Sequence, residues 1–369
     1  MPSFKNTLDQ LESKNRLRSL NLPNGIDLTS NDYLGMANHP ALREAAINAL
    51  KGGIDIGAAG SRLLRGHTQS HADLENFAAH HFNSGGALYF ANGFQANYAL
   101  LTTLPKRGDI VLYDSLAHAS MRDGLKASDA KSFKFPHNDI NALETLLKKN
   151  HTTAKQIWIA IETIYSMDGD IAPLNEIYTL AEQYGAYLIA DEAHATGIYG
   201  QQGKGLCWNI IQKHGYDHLI TLHTCGKAIG VAGGLVCASK DIIDYLINTA
   251  RPFIYTTAPI PLQAYLVQKS LEILAGEDGD KRRDKLLTLC AKGRNLFGGS
   301  GTQIIPIIIG SDENALNTAQ ALQGKGYDIR AIRPPTVPEG TARLRISLSS
   351  EIEHTYLTDI ANMLESISK

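Results

Sequence analysis

The residues of this sequence with the clearest chemical potential follow short apolar runs. Asp191 comes directly after "YLIA", and His194 follows three residues later. Lys227 lies among small residues in "HTCGKAIG" (residues 223–230). A carboxylate at the end of a buried strand is costly to desolvate unless it meets a positive partner or a metal. The residue types therefore indicate a site that combines a carboxylate, an imidazole and an amine.

Three interpretations of these residues compete. The simplest is structural, with an ion pair between Asp191 and Lys227 beside a hydrogen-bonded histidine. A second is a nucleotide-driven motor, because "DEAH" and "CGKA" resemble parts of such proteins. A phosphate loop requires G-x-x-x-x-G-K-[ST], but Thr221 stands where its first glycine belongs and Ala228 follows the lysine. No G-x-G-x-x-G joins a first strand to a helix either. The sequence thus excludes both nucleotide-binding loops.

The third interpretation is a pyridoxal phosphate site. This cofactor needs a lysine amine for an imine and a carboxylate that keeps its pyridine nitrogen protonated. Lys227 and Asp191 match these two requirements. His194 would bond the phenolic oxygen, and His118 in "DSLAHAS" would stack on the ring. The small residues around Lys227 leave room for cofactor and substrate. The combination favours this interpretation over the structural one.

The elements that must position these residues alternate along the chain. The apolar runs that predict buried strands are "GALYFANG", "DIVLYDS", "QIWIAIET", "AYLIADEAH" and "HLITLHT". Helical patterns lie between them, the clearest from Pro173 to Gly185. This alternation predicts an α/β fold with a large, mostly parallel sheet covered by helices on both faces, whose ligands bind at the carboxyl ends of the strands. Gly93 and Phe94 open a helix directly after the first of these strands, where backbone N–H groups can hold a phosphate.

The alternation changes near residue 276. A charged helix from Asp280 is followed by the strand "TQIIPIIIG", another helix and the proline-rich "IRPPTVPEGTARLRISL". We therefore predict an N-terminal segment (1–38), a large cofactor-binding domain (39–275) and a smaller C-terminal α+β domain (276–369).

Composition limits the partners and the location. The chain has 369 residues, of which 43% are hydrophobic and 20% are charged, as is typical of a soluble globular protein. A formal net charge of −2 gives no reason to expect nucleic acid or an anionic membrane as a partner. The N-terminus has no signal-peptide pattern, the apolar runs are too short to span a bilayer, and the four cysteines lack metal-site spacing. We expect a cytoplasmic protein without a metal site.

Motifs along nearly the whole chain resemble a known family. They are, in order, "TSNDYLG", "GSRLLRGH", "NGFQAN", "DSLAHAS", "YSMDGDIAPL", "DEAHATG", "HTCGKAIG" and "IRPPTVPEGTARLRISL". The chain resembles the α-oxoamine synthases, which are fold-type I pyridoxal phosphate transferases. Members of this family condense an amino acid with an acyl thioester and release carbon dioxide. The resemblance implies an acyltransferase that forms homodimers with active sites at the subunit interface, to which residues from "GAAGSRLLRG" contribute.

Within the family, "IRPPTVP" resembles the branch that makes 8-amino-7-oxononanoate in biotin biosynthesis. That branch joins L-alanine to a pimeloyl thioester, carried by coenzyme A or by a carrier protein. The alternative is a sister synthase that uses glycine and another acyl-CoA, as 2-amino-3-ketobutyrate CoA ligase does. A non-enzymatic descendant of the fold is expected to lose Lys227 or Asp191, and both are present.

The resemblance also implies roles for individual residues. The catalytic residues would be Lys227, His118 and Asp191. The cofactor would be bound by Gly93, Phe94, His118, Ser166, Asp191, His194, Thr224 and Lys227. The substrates would be bound by Arg18 (rather than Arg16), Asn31, His118, Thr336 and Arg345. In this set Arg345 would hold the amino-acid carboxylate with its bidentate guanidinium. The structural alternatives are a turn residue for Ser166, a core residue for Phe94 and an inter-domain salt bridge for Arg345.

Overall fold

The computed structural model describes residues 3–367. Its helices are α1 (Phe4–Ser13), α2 (Pro40–Lys51), α3 (Gln69–His81), α4 (Gly93–Thr103), α5 (Ala119–Ala127), α6 (Ile140–Asn150), α7 (Leu174–Gln183), α8 (Trp208–His214), α9 (Lys240–Thr249), α10 (Arg251–Ile254), α11 (Pro261–Leu274), α12 (Glu277–Phe297), α13 (Asp312–Gln323) and α14 (His354–Ile367). Its strands are β1 (Ile26–Asp27), β2 (Gly86–Phe90), β3 (Ile110–Asp114), β4 (Lys131–Phe135), β5 (Ile157–Glu162), β6 (Tyr187–Asp191), β7 (Leu219–Thr224), β8 (Gly234–Ala238), β9 (Ile304–Gly310), β10 (Tyr327–Asp328), β11 (Ala331–Ile332) and β12 (Ala342–Ser347). A short 3₁₀-helix covers Gln201–Gly203.

The largest sheet has seven strands in the order β2-β8-β7-β6-β5-β3-β4. Strands β7, β6, β5, β3 and β4 are mutually parallel, whereas β8 is antiparallel to both of its neighbours. The central strands β5 and β6 are almost continuously apolar because helices cover both faces of a parallel sheet. This is the α/β architecture that the sequence predicts.

The chain divides into two compact units. One unit comprises Leu34–Ser166 and Ile171–Arg283 and contains the seven-stranded sheet. The other comprises Met1–Tyr33, Met167–Asp170 and Asp284–Lys369. In that second unit β11, β12 and β9 form an antiparallel sheet, and β1 pairs with β10 in parallel. The sequence-based domain boundaries after residues 38 and 275 stay a prediction.

Two strands of the large sheet were missed by the sequence patterns. Strand β4, "KSFKF", is exposed over four of its five residues and lies at the sheet edge, so it lacks an apolar run. Strand β8 is antiparallel and follows the short connection after β7 rather than a helix. None of the helices within residues 3–367 has the length and apolar character needed to cross a bilayer.

A buried ion pair fixes the start of the large sheet. The Arg62 guanidinium donates to both oxygens of the Glu75 carboxylate at 2.9 and 2.8 Å, and to the Tyr89 carbonyl at 3.3 Å. The Tyr89 N–H in turn donates to Glu75 at 2.9 Å. These bonds connect helix α3 with strand β2. The strand ends at Phe90, two residues before Asn92, which caps α4. The clamp therefore holds α3 against β2 shortly before α4 begins.

We expect Glu75→Gln to destabilise the protein by about 3 kcal/mol, because it leaves the buried Arg62 charge without its partner. The measurement is equilibrium urea unfolding of the variant and the wild type. The matched control is Glu144→Gln, which removes the exposed ion pair with Lys148 and is expected to cost less than about 1 kcal/mol. Equal losses in the two variants would mean that the clamp does not contribute to stability.

Candidate active site

Asp191 ends strand β6 and is 5% exposed. Its Oδ2 accepts a hydrogen bond from the Asn97 side-chain amide at 2.7 Å, and its Oδ1 accepts one from the Ala193 N–H at 2.9 Å. Hydrogen bonds to the ionised form of a buried carboxyl favour that form. Each oxygen of Asp191, at the carboxyl end of the sheet, therefore has a neutral amide donor that favours the negatively charged form.

Lys227 lies in the connection between β7 and β8. Its Nζ is 2.8 Å from His194 Nε2, so the structure brings together an amine and an imidazole that are 33 residues apart in sequence. The Lys227 carbonyl accepts a hydrogen bond from the Gly230 N–H at 2.8 Å, which closes a tight turn around the lysine. Gly230 has a φ of +70°, and an added Cβ would meet the backbone around Met36 and Ala37 at about 2.5 Å, so only glycine suits this turn.

His118 is connected to Asp191 through two intervening side chains. The His118 Nδ1 is 2.8 Å from the Ser120 Oγ and accepts from the Ser120 N–H at 3.2 Å. The Ser120 Oγ accepts from the Asn97 side-chain amide, which also donates to Asp191. Because Nδ1 is an acceptor, the proton of the neutral imidazole lies on Nε2. Desolvation lowers the pKa of His118, with a further lowering from Lys227 and an opposing effect of Asp191.

Helix α4 offers its N-terminus beside strand β7. Asn92 caps the helix, and its side-chain oxygen accepts from the Gln95 N–H at 2.8 Å. The first N–H groups of a helix have no intrahelical partner and attract anions. A Cβ added at Gly93 would lie 2.3 Å from the Thr224 Oγ1, so helix and strand approach too closely for a side chain. Phe94, by contrast, is 48% exposed.

Ser166 lies in the turn that follows strand β5. Its N–H donates to the Glu162 Oε2 at 3.2 Å, and Glu162 itself is 2% exposed. Glu162 is the register partner of Asp191 on the neighbouring strand. Neither Glu162 nor Asn97 was assigned a role from the sequence. In the sequence, Glu162 is recognisable as the carboxylate at the end of the apolar run in "AIET", and Asn97 is the last residue of "NGFQAN".

Arg345 lies on β12 in the second unit and is 8% exposed. Its guanidinium donates to the Ser347 Oγ at 2.6 Å, the Asn31 Oδ1 at 3.1 Å and the Tyr33 hydroxyl at 3.2 Å. The predicted substrate residues Arg345 and Asn31 are thus in direct contact. The nearby Arg343 instead forms an ion pair with Asp168.

A cavity of about 150 Å³ in the second unit is lined by three arginines. The lining residues are Arg16, Arg18, Ala331, Ile332, Arg333, Pro334 and Thr336. The Arg18 Nη2 donates to the Thr336 Oγ1 at 3.2 Å. Arg16 is instead bound to Asp312 at 2.7 Å and to Glu339 at 2.6 Å. The cavity therefore suits an anionic group, and the guanidinium of Arg16 is occupied by carboxylates of the chain itself.

These residues fit pyridoxal phosphate on chemical grounds. Gly93 and Thr224 approach so closely that residue 93 can carry no side chain, and the first N–H groups of α4 lie at this position. Asp191 presents a buried carboxylate for a protonated pyridine nitrogen, and Lys227 presents an amine. No group of three or more potential metal ligands occurs in the part of the chain that the structure describes.

Comparisons with known proteins agree on one family. A family model described as aminotransferase class I and II matches residues 23–364. An 8-amino-7-oxononanoate synthase from Paraburkholderia phymatum is 43% identical over 352 residues, which cover 92% of this chain and 88% of the relative.

Two solved structures extend the comparison. One is a serine palmitoyltransferase variant from S. paucimobilis with a bound PLP–myriocin aldimine, with a TM-score of 0.86 and 27% identity over 93% of this chain and 87% of that chain. The other is an 8-amino-7-oxononanoate synthase from Francisella tularensis, with a TM-score of 0.79 and 27% identity over 93% of this chain and 97% of that chain.

We expect Gly93→Ala to weaken binding of pyridoxal phosphate roughly ten- to a hundred-fold, because the displaced helix N-terminus loses hydrogen bonds to a charged phosphate. The measurement is an absorption titration of cofactor-depleted protein. The control is Gly324→Ala, where an added Cβ makes only ordinary contacts at 3.5 Å and lies outside the proposed cofactor site. Wild-type affinity in the Gly93→Ala variant would place the phosphate elsewhere.

Proposed function

Because this chain belongs to the aminotransferase class I and II family, we propose that it is the acyltransferase that condenses L-alanine with a pimeloyl thioester. The products are 8-amino-7-oxononanoate, carbon dioxide and the free thiol, so the reaction serves biotin biosynthesis. The single observation that carries this proposal is the 43% identity with 8-amino-7-oxononanoate synthase over 92% of the chain. The similarity to a solved serine palmitoyltransferase with a bound PLP–myriocin aldimine and to a solved 8-amino-7-oxononanoate synthase also confirms the predicted fold class.

Pyridoxal phosphate, when bound, supplies an electron-withdrawing ring that stabilises negative charge on the α-carbon of the amino acid. Asp191 would face the ring nitrogen and keep it protonated. Its carboxylate is already oriented by Asn97 and by the Ala193 N–H, so its charge needs no reorganisation during the reaction. This electrostatic stabilisation is largest in the transition state, where negative charge develops on the α-carbon. Loss of the Asp191 charge is therefore expected to lower turnover more than cofactor binding.

Lys227 would attach the cofactor and then remove the α-proton of alanine at its Nζ. An amine acts as a base only when it is neutral. The His194 Nε2 at 2.8 Å gives Nζ a fixed hydrogen-bond partner that holds it in one direction. His194 would also bond the phenolic oxygen of the cofactor. The small residues around Lys227 leave its side chain room to move aside when the substrate amine arrives.

The remaining cofactor contacts divide between the ring and the phosphate. His118 would stack on the ring, and its lowered pKa and its hydrogen bond to Ser120 favour a neutral imidazole in a fixed orientation. Gly93, Phe94 and Thr224 would bind the phosphate at the N-terminus of α4. Ser166 would complete the cofactor site from the turn after β5.

Substrate recognition is assigned to residues of the second unit. Arg345 would bind the α-carboxylate of alanine, since a guanidinium matches a carboxylate with two parallel hydrogen bonds. Asn31 contacts Arg345 and would orient it. Arg18 and Thr336 line the arginine cavity and would bind the acyl substrate. A pimeloyl chain ends in a carboxylate, for which this positively charged cavity is a suitable partner.

The proposal extends to assembly and location. A second copy of the chain is the proposed partner, because α-oxoamine synthases form homodimers. The acyl carrier is either coenzyme A or a carrier protein. A cytoplasmic location stays a prediction from the sequence.

The proposal is tested by comparing acyl and amino-acid substrates in one assay. We expect L-alanine with pimeloyl-CoA or a pimeloyl carrier protein to give the highest kcat/KM, with carbon dioxide and thiol released in equal amounts. The preference for alanine over glycine is expected to be modest, because one methyl group contributes only about 1–3 kcal/mol. The acyl chain is expected to discriminate more strongly.

The control substrates are glycine with acetyl-CoA and glycine with succinyl-CoA, the pairs of a sister synthase. L-Serine with palmitoyl-CoA is a further control. A higher kcat/KM for any of these pairs would contradict the assignment to biotin biosynthesis and leave only the family.

A further inference from the structure

Two carboxyl groups lie side by side at the buried end of the large sheet. Glu162 on β5 and Asp191 on β6 are register partners in neighbouring parallel strands. Register partners point to the same face of a sheet, and strands are about 4.8 Å apart. Glu162 is 2% exposed and Asp191 is 5% exposed. Two carboxylates this close in a buried site do not both ionise easily, so one proton is expected to remain on the pair.

The hydrogen bonds of the pair are unequal. Each oxygen of Asp191 accepts a hydrogen bond, one from the Asn97 amide at 2.7 Å and one from the Ala193 N–H at 2.9 Å. In Glu162, Oε2 accepts from the Ser166 N–H at 3.2 Å, and the Ser166 side chain is a second hydrogen-bond partner. The Glu162 Oε1 is buried without a hydrogen-bond partner. An ionised carboxylate needs donors at both oxygens, so Asp191 is the better host for the negative charge.

Taken together, the surroundings of Glu162 raise its pKa and favour the protonated form. Desolvation raises the pKa of Glu162 most and the negative charge of Asp191 raises it further, whereas Lys227 and the hydrogen bonds from Ser166 lower it, with a result of about 8. On the side of β5 away from β6, the neighbouring strand β3 ends at Asp114. The Asp114 carboxylate is hydrogen-bonded to His137 and to the N–H groups of Leu116 and Asn138.

We propose that Glu162 is a positioning residue that holds the single proton of this carboxyl pair. Asp191 is then the one negative partner for the cofactor, and Glu162 anchors the Ser166 turn. The part of this inference that concerns the cofactor rests on the proposed function. The protonation of Glu162 does not, because it follows from the burial and hydrogen bonding of the chain alone. Glutamine is the neutral structural analogue of a protonated glutamate, so Glu162→Gln preserves the proposed state.

The proposal makes stability depend on pH in a defined direction. Below the unfolded-state pKa of an ordinary glutamate both states hold the proton, and Glu162 causes no pH dependence. Between that value and about 8 only the folded protein holds it, so stability falls as pH rises through this window. Glu162→Gln lacks this loss. Relative to wild type, the variant should therefore gain stability between pH 5 and pH 9.

The first experiment measures thermal unfolding of the full-length protein, as purified, at pH 5, 7 and 9. The difference in Tm between Glu162→Gln and wild type is expected to increase by at least about 2 °C across this range. The control variant Glu176→Gln changes an exposed glutamate on α7 and is expected to show no such increase. A constant difference for Glu162→Gln would overturn the protonation of Glu162.

Infrared difference spectroscopy measures the same proton directly. The wild type is expected to show a protonated-carboxyl C=O band at pH 6 that Glu162→Gln lacks and that disappears above pH 9. Absence of the band at pH 6 would show that Glu162 is ionised and would contradict the inference, whether or not the variant folds as stably as the wild type.

The second experiment tests the positioning role by cofactor titration at pH 7. Glu162→Gln is expected to keep the dissociation constant for pyridoxal phosphate within about threefold of wild type, since it retains an acceptor for the Ser166 N–H and adds no charge. Glu162→Ala removes that acceptor and is expected to bind at least about tenfold more weakly. Equal losses in both variants would show that the charged form of Glu162 is needed. Failure of the wild type to bind the cofactor would refute the proposed function but leave the proton assignment to the first experiment.

Discussion

A buried carboxylate stays ionised only if hydrogen-bond donors replace the water it has lost, and Asp191 takes such donors from two elements. The Asn97 amide comes from helix α4, and the Ala193 N–H comes from the loop after β6. Asn97 also bonds Ser120, which bonds His118. One side-chain amide thus couples the buried charge to the imidazole beside it. Helix α4, the start of α5 and the carboxyl end of β6 are thus joined by hydrogen bonds at this charge.

The two units differ in the charge that they present. The unit with the large sheet concentrates carboxyl groups, an amine and imidazoles at the ends of parallel strands. The unit with the three-stranded sheet contains Arg345, whose guanidinium donates to neutral oxygens, and Arg18, which lines a small cavity. Acidic groups suit a protonated ring nitrogen, whereas guanidinium groups suit the carboxylates of substrates.

Much of this arrangement could be predicted from the sequence because its signals are local. Continuous apolar runs predict buried parallel strands, and polar residues directly after them predict a site, as for Asp191 and Lys227. Strand β4 was missed because an exposed edge strand has no apolar run. Asn97 was missed because its role depends on a contact with a residue 94 positions away. Glu162 ends an apolar run in the sequence, but the unequal hydrogen bonds that give it a role exist only in the folded chain.

The Lys227 amine, which lies 2.8 Å from His194 Nε2, is the proposed attachment point for pyridoxal phosphate. The most direct test of this attachment is borohydride reduction of the cofactor-loaded protein followed by peptide mapping with mass spectrometry. We expect a pyridoxyl group on the peptide that contains Lys227, and no modification of that peptide in Lys227→Ala. A pyridoxyl group on another lysine, or an unmodified protein after incubation with the cofactor, would contradict attachment at Lys227.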